Sequence, residues 1–208
     1  MNKIQNISSY VPKQEDIFLL DTNILIKIFY PALGARNSAP YITFYQEILK
    51  SDSELLLSSI QLSEFVNRCI RFQFNLYKED HPEVKDFKAD YRDTKDYIDS
   101  MDAILEIIEQ DIFSHFVRIN DDFGTLDTKN LLMHGFSYDF NDAVIAEISR
   151  NQKAFLVTDD RDYVNYLHKL NIVTNNSALL MFQSIHQKPA PVPTETSKEL
   201  IKRSWLCK

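Results

Sequence analysis

IFLLDTNILIKIFYP, residues 17–31, opens with four apolar residues in a row, crosses Asp21, Thr22 and Asn23, and enters a second apolar run that stops at Pro31. Four consecutive apolar residues between polar neighbours suit a strand covered on both faces, as in a parallel sheet with helices on either side. Ile24 to Tyr30 reads as a helix start, ended by the proline. Asp21 therefore stands where a buried strand hands over to a helix, and open α/β sheets carry their ligand sites at that carboxyl end. The same Asp reads equally well as a cap for the helix that follows.

Three later blocks repeat this arrangement. LLSSIQLSEF (56–65) runs from a strand candidate at Leu55–Leu57 through the capping serines Ser58 and Ser59 into a helix reaching about Leu76, with Glu64 one to two turns in. Glu64 is either a solvated helix-face residue or a site residue on a face shared with Ile60 and Asn67. FNDAVIAE (140–147) places Asp142 in the first turn of a helix over Asp139–Arg150, where a negative charge is favourable whether or not it has a further duty. FLVTDDRDY (155–163) joins a strand at Ala154–Val157 to Asp159, Asp160 and Asp162, one of which is expected to cap the next helix. Four carboxylates gathered in one pocket would repel one another, and a divalent ion is the usual relief.

The rest of the chain fits the same plan. Helices are expected at Tyr41–Leu49, Leu126–His134 and Asp160–Leu170, and strands at Phe116–Ile119 and Ile172–Thr174. Tyr97, Ile98, Met101, Ile104, Leu105 and Ile108 recur at spacings of 3 and 4, which predicts an amphipathic helix in an acidic insertion over about 78–111. Alternating strands and helices favour an α/β/α sandwich around a mainly parallel sheet. One domain is expected over 1–185, followed by a Pro-rich, basic tail over 186–208 with Pro189, Pro191 and Pro193.

Composition excludes several function classes. Three glycines, Gly34, Gly124 and Gly135, cannot build a GxGxxG or P-loop cradle, so a nucleotide cofactor is not expected. No apolar run is long enough to span a membrane, no secretory apolar region stands near the N-terminus, and Cys69 and Cys207 read as reduced thiols, so a cytoplasmic location is expected. His81, His115, His134, His168 and His186 form no metal-ligand pair. Net charge is −7, but residues 78–111 carry 12 acidic and 5 basic side chains, which is the whole excess. The charge therefore neither demands nor forbids a nucleic-acid partner.

The ordered set of a hydrophobic strand then DTN, Ser58 and Glu64 on one helix, DAVIA at 142–146, and a hydrophobic strand then TDDRDY at 158–163 resembles the PIN-domain family. So does the 18-residue interval from Asp142 to Asp160. The resemblance covers about Ile17 to Phe182. It implies a parallel-sheet sandwich and a Mg²⁺- or Mn²⁺-dependent nuclease, usually acting on RNA. The family's acidic metal site falls on Asp21, Glu64, Asp142 and Asp160, with Asp162 as a further acid and Thr22, Asn23 and Thr158 in support. Toxins of the VapC type belong to this family, which would bring an antitoxin protein and a homodimer as partners. The 78 residues from Glu64 to Asp142 exceed the spacing in compact toxins and leave toxin status open.

On this reading a metal-activated water hydrolyses the phosphodiester, and all-oxygen ligands select Mg²⁺ or Mn²⁺ over zinc. Lys27, Arg68, Lys129 and Arg161 are candidate RNA contacts, each equally readable as a solvated or ion-paired surface residue. Phe29 and Tyr30 could stack on bases or pack in the core. A non-catalytic scaffold of the same fold, binding RNA or protein, is the alternative. A haloacid-dehalogenase-type phosphatase would need a second Asp where Asn23 stands.

Overall fold

The structure is a computed structural model that describes residues 3–34, 36–132, 139–166 and 170–186. Six strands, β1 (Lys3–Asn6), β2 (Ile17–Leu20), β3 (Glu54–Leu57), β4 (Val117–Arg118), β5 (Phe155–Val157) and β6 (Asn171–Thr174), form one sheet in the order β1-β6-β5-β2-β3-β4. Every neighbouring pair is parallel. From β2 the chain steps outward to β3 and β4, then returns to the other side of β2 as β5. The order therefore reverses between β2 and β5, where the carboxyl ends of two adjacent strands leave a crevice.

Among the described residues eight helices cover the sheet: α1 (Thr22–Phe29), α2 (Pro31–Gly34), α3 (Ala39–Lys50), α4 (Ser59–Asp80), α5 (Lys95–Ile107), α6 (Thr128–Leu131), α7 (Phe140–Asn151) and α8 (Ser177–His186). Alternation along β2 sets the layers. Phe18 and Leu20 join an apolar cluster with Leu25, Phe44, Phe65 and Ile104, supplied by α1, α3, α4 and α5. Leu19 points the other way, into a cluster with Leu156, Ile172, Val144, Ile148 and Leu179, supplied by the strands, α7 and α8. Both faces are covered, so the strands read as continuous apolar runs rather than alternating ones. The result is the expected three-layer α/β/α sandwich.

Phe29 and Tyr30 settle in the core. Phe29 meets Tyr45 edge-on with ring centroids 5.4 Å apart, and the Tyr30 hydroxyl accepts from Gln73. Gly34 marks a close approach of α2 to α1, since a Cβ there would lie 2.8 Å from the Lys27 backbone. Among the described residues no helix is long and apolar enough to cross a membrane.

Several expectations need correcting. Of the helix expected over Asp160–Leu170 the described residues show a tight 3₁₀ turn, Arg161–Asn165, after which the backbone is extended again at Tyr166; residues 167–169 lie outside the described residues. The amphipathic pattern is real, but the 78–111 stretch is broken: α4 runs to Asp80, a wide turn follows at Phe87–Tyr91, and α5 begins only after Thr94 caps it. Among the described residues the short helix expected at Leu126–His134 is α6 alone, and residues 133 and 134 lie outside them. β1 and α8 carried no local signal strong enough to announce them. Residues 187–208, including the three tail prolines, lie outside the described residues, as do Gly135 and His168.

Candidate active site

The register of β2 and β5 builds the centre. Leu20 pairs with Val157, so the next residues, Asp21 and Thr158, emerge side by side from neighbouring strands. The Asp21 amide donates to the Val157 carbonyl at 2.9 Å, which continues the ladder one residue past β2. Thr158, fully buried, donates its hydroxyl to Asp21 Oδ2 at 2.6 Å. Asn23 Nδ2 donates to the same oxygen at 2.6 Å. Asp21 occupies the cap position of α1, yet its side chain makes no capping bond. The capping explanation for this buried carboxylate therefore fails.

Glu64 is delivered by a staple between α4 and β2 that only half shows in the sequence. Gln61 is fully buried. Its Nε2 donates to the Leu20 carbonyl at the end of β2, while its Oε1 accepts from the Ser58 amide and hydroxyl, both at 2.8 Å. Ser58-x-x-Gln61 is a capping box, and here it also locks the start of α4 to the end of β2. Glu64, less than one turn further, then accepts from Thr22 Oγ1 at 3.0 Å. Arg68, one turn on, stands 3.6 Å from Glu64, so Arg68 rather than the exposed Asn67 shares its face.

The acids after β5 divide their duties. Asp160 is the cap, accepting from the Asp162 amide at 2.9 Å, and its own amide donates to Thr158 Oγ1. Asp159 turns away: it meets Lys27 at 3.2 Å and accepts from the Tyr41 hydroxyl at 3.0 Å. Asp162 is more open than Asp159 and is loosely paired with Arg161 at 3.9 Å. On α7, Asp139 takes the cap by accepting from the Asn141 amide, which leaves Asp142 without that task. Asp142 accepts instead from the Tyr163 hydroxyl at 3.4 Å.

Asp21, Glu64, Asp142 and Asp160 thus come from four separate elements, and they share one field. Burial pushes the Asp21 carboxyl up to about 8; the Thr158 hydrogen bond opposes this, and the charges of Asp142, Glu64 and Asp160 add to it. Tyr163 is pushed well above the ordinary phenol range by burial and by the same four acids. Among the described residues no three Asp, Glu, His or Cys side chains stand close enough to hold a metal ion as they are. The donors nevertheless fit a hard cation. All are oxygens, and a buried acid disfavoured in its charged form by three neighbours gains from a positive charge. Arg68 supplies such a charge only on the Glu64 flank.

Beside the acids opens a cleft of about 420 Å³ lined by Asn23, Lys27, Arg36, Arg68, Asp160 and Arg161, among others. Three of the four basic residues singled out from the sequence therefore converge. Lys129 does not: it is exposed on α6 and is absent from this lining. Arg36 was missed, since a lone basic residue just after α2 carries no local sign that it lines this cleft. Lys27 is a clamp as much as a wall. Its ammonium pairs with Asp159 and donates to the Arg36 carbonyl, with a side chain only 12% exposed.

A family model described as PIN domain matches residues 18–169. Among solved structures, VapBC2 from Rickettsia felis, bound to a DNA fragment from its promoter, shares 19% identity over 77% of this chain and 98% of the matched chain, with a TM-score of 0.45. PAE2754 from Pyrobaculum aerophilum shares 16% identity over 86% and 97%, with a TM-score of 0.43. No curated protein matches the chain. The chain belongs to the PIN domain family, whose members are generally nucleases.

Proposed function

We propose that this chain hydrolyses RNA phosphodiesters with the help of Mg²⁺ or Mn²⁺, and that Asp21, Glu64, Asp142 and Asp160 hold the ion, with Asp162 as an outer acid. The observation that carries the reading is Asp21 itself. It is a buried carboxylate released from capping duty, aimed into the shared field of three acids at the point where strand order reverses. A structural role offers no reason to assemble such mutual repulsion.

When bound, the ion acidifies a water and polarises the phosphodiester. The chain's own groups do the positioning. Thr158 and Asn23 fix Asp21, Thr22 fixes Glu64, and the Asp162 amide fixes Asp160. Arg36, Arg68 and Arg161 line the cleft where the polyanion backbone would lie, and arginine suits phosphate geometry. Lys129 enters this proposal only as a distant surface charge. A cytoplasmic location, a homodimer and an antitoxin partner belong to the same proposal, and a small antitoxin-like reading frame beside the gene would separate toxin from housekeeping nuclease.

The alternative is a chain of the same fold that binds RNA or protein without cleaving. Cleavage of labelled RNA and single-stranded DNA with Mg²⁺ or Mn²⁺, beside Asp21→Asn and Asp142→Asn, decides between the two. Metal-dependent cleavage lost in both variants supports the nuclease. Its absence in wild type, or its survival in both variants, supports the scaffold.

A further inference from the structure

We infer that Tyr163 is a positioning residue of the acidic site, its buried hydroxyl holding the Asp142 carboxylate in place for a divalent ion; this rests on the metal-dependent reading above. The observation is a pattern shared by the four acids. Asp21, Glu64 and Asp160 each accept from a donor that fixes them: Thr158 and Asn23, Thr22, and the Asp162 amide. Asp142 accepts from Tyr163 at 3.4 Å, which completes the set.

The ring and the oxygen of Tyr163 do different things. The ring is 1% exposed and belongs to the apolar cluster with Ala143, Ala146 and Leu156, where a phenylalanine would pack as well. Burying a hydroxyl is unfavourable unless it is bonded, so the oxygen needs a partner that packing does not supply. Tyr163 sits three residues after Asp160 on the same tight turn, so one short segment carries one candidate ligand and steadies another from α7.

The test is Mn²⁺ binding to the full chain, read from the paramagnetic resonance of free Mn²⁺, for wild type, Tyr163→Phe, Asp142→Asn and the double variant. Groups that orient metal ligands typically change affinity by tenfold or more. We expect Tyr163→Phe to weaken Mn²⁺ by about tenfold while Tm stays within about 3 °C of wild type, and cleavage to recover at saturating Mn²⁺. In the Asp142→Asn background the same change should do nothing further. Unchanged Mn²⁺ affinity in Tyr163→Phe, or an equal loss in both backgrounds, overturns the inference while leaving the nuclease reading intact. A Tm loss beyond about 5 °C makes the hydroxyl a contact of the fold and overturns it too. A wild-type chain that binds no Mn²⁺ removes both readings together.

Discussion

Thr158 and Asp21 leave adjacent parallel strands one residue past the Leu20–Val157 pair, and the threonine hydroxyl donates to the carboxylate at 2.6 Å. This contact bridges 137 residues of sequence and holds the most buried acid of the site. It also fixes what happens when that acid changes.

Asp21→Asn should stabilise the metal-free protein and abolish cleavage. An asparagine oxygen still accepts from Thr158 and Asn23, while the charge that burial and three acids disfavour is gone. A Tm increase of about 3–6 °C at pH 8 is expected by thermal melting, in keeping with strained functional sites that trade stability for activity. A lower Tm would mean that the charge itself supports the fold.

The pH dependence has a defined sign. The Asp21 carboxyl moves from 3.8 to about 8 on folding, so the folded chain binds a proton that the unfolded chain has released. Its contribution to stability is complete below about pH 4 and is lost as pH rises through about 8. The metal-free Tm should therefore fall between pH 5 and pH 8.5, Mn²⁺ should flatten that slope, and Asp21→Asn should flatten it without metal. Melting curves across this range check all three.

Gly34→Ala should be costly although it touches no acid. The added methyl would meet the Lys27 backbone at 2.8 Å, a clash that no rotamer change relieves. Forced overpacking of this kind costs about 1–3 kcal/mol, visible as a lower denaturation midpoint with an unchanged slope.

Arg161→Ala and Lys27→Met should separate binding from architecture. Arg161 is 79% exposed at the cleft, so its loss should weaken single-stranded RNA binding and reduce the salt slope by about 0.7, at unchanged Tm. Lys27→Met leaves Asp159 half-buried without its cation and should lower Tm by several degrees. Fluorescence anisotropy over a salt series, beside melting curves, measures both.

The strand-then-acid blocks were legible because each is local: an apolar run, a polar break, and a helix start within ten residues. Which acid caps and which is released was not, since Asp159, Asp160 and Asp162 differ only in where the backbone aims them. Asp142 could be freed from capping on paper only by trusting Asp139, which the structure does use. Tyr163 escaped notice because an aromatic ring beside an apolar strand reads as core, and the direction of its hydroxyl is a tertiary fact. Gln61 is the opposite case, a readable capping box whose second bond, to the Leu20 carbonyl, only the packed sheet reveals. β1 has a single well-buried residue, Ile4, and offers no periodicity to find.

The acidic insertion carries the chain's whole charge excess, twelve acidic against five basic side chains over residues 78–111, on the far end of α4, on α5 and on the turns around them. α4 carries the chain from Glu64 to Lys78, about 21 Å at helical rise, before the excess charge begins. Tyr91 packs on Phe74 and Tyr77 near the far end of that helix, and Phe116 packs on Phe29 at the last residue of α1. Screening reaches about 8 Å at physiological salt but about 30 Å at 0.01 M. A polyanion approaching the arginine-lined cleft therefore feels the insertion's excess charge most strongly in dilute buffer. Its association rate should rise with the first additions of salt, pass through a maximum, and fall once the arginines are screened in turn.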